Sequence, residues 1–475
     1  MKRNDVLIRG YSPEVTGSAI ECEVHYWSDG KQKKFTFVID FGFYQGHNHK
    51  NLEYNRTLPI ENIGAVLITH SHLDHIGAIP CLVRDGYKGK IYMSEGTALL
   101  SNLVYEDTYK IMKRDYKVSK KPMQFFKENV DRALNQTELV VYGKTITINP
   151  YIQVTFFPNA HLPGASMILV QILDEESRAN DINLLFTGDY KAENELMEFD
   201  PLPVWVYALP NLTIISEATY GDKDSSEIDY CIEDTIEYGC KHNKVIFLSA
   251  FAQGRYQQLM YKIRTMQEDG RIPKDYPIQM DGPSAVNVTF TYLEFWKQMN
   301  LKKDIFLFPY RSRFITENEE RNAVINRKNR QIIISTSGMM SNGPAKLYMP
   351  TVLSNPDALV CVCGYASEGT LARSILETEP GGSIAFGSRF LPLVKRAETM
   401  QTFEMSAHAT SDQLIEFLNR FNARSILINH GEPAVKKIFA QKVKNETFVK
   451  KVSVMEPDKV FKVTKYGVDK IYTRI

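Results

Sequence analysis

The stretch THSHLDHIG, residues 69–77, follows an apolar run, AVLI, and leads into a helix-like segment, IGAIPCLV. A strand that ends in a turn can aim alternate side chains at one point. His70 and His72 therefore converge, while Asp74 and His75 face a second point. Four ligand-type residues within six positions exceed what one tetrahedral metal takes, and the spacing implies two ions. Burying imidazole and carboxylate groups at this density would be costly without a metal or polar partners.

Further candidates stand at the ends of other strand-like runs. His161 follows VTFFPNA and precedes a Pro-Gly turn, Asp189 ends INLLFTGD, and His430 ends RSILINHG. Any one of them alone would be read as capping a turn. Together with the 70–75 cluster they make two three-ligand sites and one shared carboxylate. Asp40, ending FTFVID, is placed to orient an imidazole from behind. His25, His47, His49 and His242 have no such company and are left unassigned.

The rest of the chain is that of an ordinary globular protein. It has 475 residues, enough for two or three domains, with 43% hydrophobic and 24% charged residues. No apolar run approaches the ~18–20 residues of a membrane span. The opening MKRNDVLIRG lacks the apolar core of a secretory signal, so a cytoplasmic protein is expected. The net charge of +1 advertises no polyanionic partner, although a local patch or a metal can supply the field. Six cysteines in this length do not form a disulfide framework. Cys361 and Cys363, in ALVCVCGY, read as buried core on one face of a strand.

Strand signals dominate the first half: 20–27, 35–40, 65–70, 154–158, 166–172, 182–189 and 212–218. The region 96–135 reads as one or two surface helices. After about residue 221 strands and helices alternate, as in KVIFLSA then GRYQQLMYKIRTM, which is the pattern of a parallel sheet. The lysine-rich segment 436–475, with Lys436, Lys437, Lys442, Lys444, Lys450, Lys451, Lys459, Lys462 and Lys465, reads as a solvated basic face.

THSHLDH resembles the HxHxDH motif of the metallo-β-lactamase fold. SEATYGD (216–222), SAHATSDQL (406–414) and INHGE (428–432) resemble motifs A, B and C of its β-CASP branch, with Glu217, His408 and His430 as their functional residues. SAFAQGRYQQL, MDGPSA, IIISTSGMMSNGPA and GYASEGTLAR resemble the β-CASP cap. The resemblance covers nearly the whole chain.

It implies an α/β protein, an αββα sandwich formed by 1–220 and 397–475, with a β-CASP cap domain inserted at 221–396. It implies two zinc ions, one on His70, His72 and His161, the other on Asp74, His75 and His430, bridged by Asp189; manganese in the cell is the alternative. It further implies hydrolysis of single-stranded RNA by a hydroxide held between the ions, leaving 5′-phosphate and 3′-hydroxyl ends. Asp74 orients the nucleophile, and His408, held by Glu217, serves as general acid. Endonuclease action is favoured over 5′→3′ exonuclease action. His430 in motif C favours RNA over DNA. Ser406 and Arg255 are expected phosphate contacts. Motif B departs from its commonest form, with Thr410 where an Asp often stands and Asp412 further on, a change expected to affect only helix capping. The alternatives are a metallo-hydrolase of a lactam, thioester or small phosphodiester, and a metal-bearing but non-catalytic RNA-processing subunit. No membrane partner is expected, and the sequence leaves a homo-oligomer open.

Overall fold

The computed structural model describes residues 3–12, 14–44, 52–198, 202–228, 232–303, 305, 307–364, 366, 369–386 and 392–473. Two sheets face each other. In the eight-stranded sheet the order runs Gly467–Thr473, Lys459–Thr464, Asp5–Gly10, Ile20–Ser28, Lys31–Ile39, Ile63–Leu67, Lys90–Ser94 and Thr137–Val140. In the seven-stranded sheet it runs Lys451–Val454, Ala423–Ile428, Leu212–Ser216, Ile182–Phe186, Ser166–Ile172, Ile152–Pro158 and Thr145–Asn149.

Alternation puts one side of each strand into the space between the sheets. Val6, Ile8, Cys22, Val24, Phe37 and Ile39 of the first sheet meet Val154, Phe156, Ile168, Val170, Leu184 and Phe186 of the second. The opposite faces bury against helices. Val38, Val66 and Ile91 pack under Ile79, Leu82, Tyr105 and Val130, and Leu169, Leu185, Ile214 and Ile426 pack under Leu414, Leu418, Phe439 and Val443. These are the four layers expected from the sequence. The 96–135 region forms helices Glu95–Ser119 and Lys127–Asn135, the first capped by Ser94, whose side chain accepts from Thr97 N–H.

A third sheet of six strands, all parallel, is built by the middle of the chain: Ser312–Ile315, Ile278–Asp281, Gln331–Ser335, Val245–Ser249, Ala358–Cys363 and Glu398–Thr402. Helices cover both faces, so its strands are near-continuous apolar runs such as VIFLS and ALVCVC. Cys361 and Cys363 are buried there. The strand Glu398–Thr402 pairs with Ala358–Cys363. We therefore propose that the chain returns to the sandwich after Thr402, six residues beyond the boundary drawn at 396, with the first joint kept at 220/221.

The lysine-rich end keeps Lys437, Lys444, Lys450 and Lys451 exposed, as a solvated face would, and departs from that reading at Lys436. It forms helix Pro433–Glu446, a strand of the second sheet, and a hairpin, 459–473, that completes the first sheet beside Asp5–Gly10. Lys436 is buried, its Nζ donating to Met455 O at 2.9 Å. On helix 433–446 it points inward under the 3.6-residue period, which a count of lysines does not reveal. Among the described residues no helix is long and apolar enough to cross a membrane.

Candidate metal centre

The site lies where strands of both sheets end on the same side. Strands 182–186, 212–216 and 423–428 run parallel, with Phe186 opposite Ile215 and Ser216 opposite Ile428, so Asp189, Glu217 and His430 emerge together just beyond them. In the facing sheet Ile39 lies opposite Leu67, and Asp40 N–H donates to Leu67 O at 3.0 Å, setting Asp40 beside the 69–75 loop. Helix Leu73–Ile76 carries Asp74 and His75. Gly42 allows this loop to close down: a Cβ there would sit 1.7 Å from Asp74 O. Asp40 (φ 58°) and His430 (φ 41°) both hold left-handed backbone, a conformation that costs of order 1–3 kcal/mol and persists where surroundings enforce it.

Three ring nitrogens point at one spot. His72 Nδ1 lies 3.1 Å from His70 Nε2 and 3.0 Å from His161 Nε2. Asp189 Oδ2 stands 3.5 Å and 3.7 Å from the latter two. Four ligands around an ion at 2.0–2.1 Å are about 3.3–3.4 Å apart, so the spacing suits a tetrahedral site. A second set adjoins it. His75 Nε2 is 3.4 Å from the same Asp189 oxygen and 3.8 Å from Asp74 Oδ2, which is 3.9 Å from His430 Nε2. His430 Nδ1 lies 3.2 Å from Asp189 Oδ1. His75 Nε2, His430 Nε2 and Asp189 Oδ1 are buried without a hydrogen-bond partner among the described residues. Buried polar atoms are nearly always satisfied. These orphans inside two adjoining sets of ligand atoms fit metal ions.

The outer nitrogens are held in the matching tautomers. Asp40 accepts from Thr69 N–H and Thr69 Oγ1, both at 2.8 Å, and from His75 Nδ1 at 2.8 Å. Thr69 has then used its proton, so its oxygen accepts from His70 Nδ1 at 3.0 Å. His161 Nδ1 donates to Ala407 O at 3.0 Å. Each arrangement leaves an Nε2 lone pair facing inward. Burial holds His70 and His161 well below the usual imidazole range and pushes His72 down to about 4, favouring the neutral, ligating form. Burial also acts on His75, but Asp189, Asp40 and Asp74 outweigh it and raise it well above that range. Burial opposes ionisation of Asp189, yet the surrounding imidazoles, His430 first, hold it well below the usual carboxylate range.

His408 sits at the open side of the cluster. Its Nδ1 donates to Glu217 Oε2 at 2.9 Å, and its Nε2 is 3.9 Å from Asp189 Oδ2. Burial pulls the imidazole down, but Glu217 and Asp189 raise it overall. Glu217 is fixed by Tyr190 N–H and by Thr219 N–H at 3.3 Å. Thr410, where motif B departs from its commonest form, stands at the N-cap of helix Ser411–Asn419, its N–H donating to Gln413 Oε1 at 3.2 Å.

Ser406 and Arg255 reach the neighbourhood differently. Ser406 Oγ accepts from His408 N–H at 3.1 Å and Ser406 O accepts from Lys191 Nζ at 2.6 Å, so its polar atoms serve the loop. Arg255 enters from the cap and is buried. His25 bridges Asp5 and Glu23 at 2.8 and 2.9 Å, and His242 donates to Tyr238 O; neither belongs to the site. His47, His49 and three positions of GYASEGTLAR, 365, 367 and 368, lie outside the described residues.

Several organising residues carried no sequence signal. Asn159 donates to Thr187 O and Asp189 O at 3.1 and 2.9 Å and accepts from His161 N–H at 3.1 Å. Ser71 Oγ donates to Gln253 Oε1 of the third-sheet domain at 2.8 Å, bringing that domain over the cluster. Thr69, Thr219 and Lys191 are others. Single polar residues in loops reveal no partners that lie tens to hundreds of positions away.

Three family models match the chain: the metallo-beta-lactamase superfamily over residues 31–148, the Beta-Casp domain over 256–375, and the Zn-dependent metallo-hydrolase RNA specificity domain over 393–455. The chain is 27% identical over 439 residues to Ribonuclease TTHA0252 of Thermus thermophilus, covering 89% of this chain and 92% of that one. It is 26% identical over 436 residues to Probable RNase MJ4 of Methanocaldococcus jannaschii, covering 90% and 93%. It is 29% identical over 440 residues to Transcription termination factor FttA of Methanosarcina mazei, spanning 87% of this chain but 63% of that longer protein. With a histidine–aspartate cluster for metal between two facing sheets, and the Beta-Casp domain roofing it, the chain belongs to the β-CASP branch of the metallo-β-lactamase superfamily, a family of metal-dependent hydrolases.

Proposed function

We propose that the protein is a ribonuclease that hydrolyses single-stranded RNA with two zinc ions, endonucleolytic action being favoured. The observation that carries this is the Glu217–His408 pair facing Asp189 at the seam between sandwich and cap. The ribonuclease names of two relatives and the RNA specificity model support the substrate class.

His70, His72 and His161 would hold one ion, Asp74, His75 and His430 the other, and Asp189 both. When bound, the ions supply the positive charge that makes a water acidic near neutrality and offsets the charge growing on the phosphate. Asp74, the most exposed carboxylate of the cluster at 18%, is placed to orient the attacking water. As water adds to phosphorus, the bond to the 3′-oxygen breaks and the phosphate stays on the 5′-oxygen. The leaving 3′-alkoxide needs a proton, and His408 supplies it from Nε2. Glu217 fixes the ring and favours the imidazolium. A cleft covered by the cap would admit a thin, flexible strand more readily than a duplex.

Two readings compete: a hydrolase of a small substrate and a metal-bearing subunit without turnover. Side-by-side assays of matched single-stranded RNA, duplex RNA, DNA and a lactam, with and without chelator, test all of them. Cleavage of single-stranded RNA fastest, abolished by chelation, is expected. Faster DNA or lactam turnover, or no turnover in metal-loaded protein, overturns the proposal.

A further inference from the structure

The loop that follows strand Val245–Ser249 of the third sheet rests on the loop that carries His70 and His72. Its Gln253 takes the hydroxyl of Ser71, the residue between those two ligands, at 2.8 Å. A Cβ on the next residue, Gly254, would stand 3.7 Å from Leu162 Cβ, beside His161. The same loop carries Phe251, a large apolar side chain left 38% exposed. Phe251 is two residues from Gln253, at most about 7 Å along extended chain.

The connectivity of the sheet makes this place a crevice. Strands 245–249 and 331–335 lie side by side in parallel, Ser249 opposite Ser335, and Ala250 N–H donates to Ser335 O at 3.0 Å. From Ser249 the chain runs through helix Arg255–Glu268 to strand 278–281, on the far side of 331–335. From Ser335 it runs through helix Gly343–Leu353 to strand 358–363, on the far side of 245–249. The two helices cover opposite faces. Leu259 and Ile263 of the first pack with Leu248 and Ile334, whereas Tyr348 and Met349 of the second pack with Phe247 and Ile333. Connections that leave adjacent strands in opposite directions open a crevice at the carboxyl ends, which is where open α/β sheets bind ligands. Phe251 and Gly338 meet there: a Cβ on Gly338 would stand 3.0–3.3 Å from three atoms of the Phe251 ring. Gly338 does not hold a positive φ, so the lack of a side chain there makes room for the ring and is not required by the backbone. The ring is braced on one side and open on another.

We propose that Phe251 is a stacking platform for the base of a nucleotide that flanks the scissile phosphate. This rests on the ribonuclease reading above. The ligand cluster and His408 act on the phosphate and leave the bases unread. An apolar ring offers a phosphate nothing, but it offers a base a face, and such stacking tolerates every base. Only an unstacked base can be splayed onto it, so the platform favours a single strand over a duplex. A base held on the cap while its phosphate faces the sandwich fixes the strand across the seam between the two domains.

The test uses single-stranded RNA oligomers in which one abasic nucleotide replaces one base at a time, up to two positions on either side of the cut. Metal-loaded wild type, Phe251→Leu and Phe251→Trp are compared, with melting temperature and metal content checked. In the wild type, one missing base beside the cut should lower kcat/KM roughly five- to 150-fold. Phe251→Leu should lose a comparable factor on intact RNA and become insensitive at that position, whereas Phe251→Trp should keep the penalty. The same pattern is expected in dissociation constants, read by fluorescence anisotropy in the slow His408→Ala background. If Phe251→Leu does not fold, Phe251→Trp and the wild-type scan decide. No sensitive position in the wild type, equal penalties in the wild type and folded Phe251→Leu, or a folded Phe251→Trp that loses the penalty overturn the platform alone. A wild type that neither binds nor cleaves RNA overturns the ribonuclease reading and the platform with it.

Discussion

His408 and Glu217 are 191 residues apart in sequence, yet His408 Nδ1 lies 2.9 Å from one Glu217 oxygen and 3.1 Å from the other. The opposite ring nitrogen faces Asp189 across 3.9 Å. A histidine held by a carboxylate on one side and facing Asp189 on the other suits the proton-donor role proposed for it.

His408→Ala should therefore slow RNA cleavage by ~10²–10⁴-fold while both metals stay bound. Replacing the leaving 3′-oxygen by sulfur removes the need for a proton. The variant should be largely rescued on that substrate, and Asp189→Ala should not. Equal defects on the oxygen and sulfur substrates would refute the acid role.

Two zinc ions per chain are expected by elemental analysis. Because Asp189 Oδ2 is within 3.4–3.7 Å of His70, His75 and His161, one carboxylate serves both sets. Asp189→Ala should lose both ions or all turnover. Active protein with a single ion would contradict this.

Asp40 touches no ligand atom of the cluster but holds His75 Nδ1, Thr69 N–H and Thr69 Oγ1. Asp40→Ala should weaken metal binding by roughly ten- to a hundredfold, read by titration against a competing chelator. Unaltered affinity in folded protein would show that the ring needs no such brace.

Lys436 offers a test on a side chain that belongs to neither ligand set. Burial pushes its amine down to about 8, against the partial help of Glu14 and Glu456. Below about pH 8 both folded and unfolded chains carry its proton. Between that value and the ordinary lysine range only the unfolded chain does, so this group makes stability rise with pH there. Denaturant titrations from pH 7 to 10.5 should show the rise in wild type and less of it in Lys436→Met. Parallel curves would count against a buried, depressed lysine.

Much of the site was legible because its chemistry is written in short runs. Four ligand residues fall within 70–75, and the others end apolar strands beside Gly, Pro or Asn. The parallel cap sheet was legible from alternating strands and helices. Of the lysines read as a solvated face Lys436 is the exception, buried on a helix, while Lys462 stays partly exposed and pairs with Asp5 at 2.9 Å across strands. Lysine-rich composition is the same for a solvated face and for a hairpin that closes a sheet.

By itself the sequence determined the kinds of element, the ligand-type residues and the order of the motifs, since these depend on side-chain type and on spacing within a few residues. Only the tertiary structure decided which ends meet. Strands 182–186, 212–216 and 423–428 must pair in parallel register before Asp189, Glu217 and His430 share one rim. Asp40 becomes a brace only once 31–39 lies beside 63–67. Gln253 of the cap meets Ser71 of the sandwich only once both domains have folded. Such relations arise from sheet pairing and burial over hundreds of residues, which no local pattern encodes.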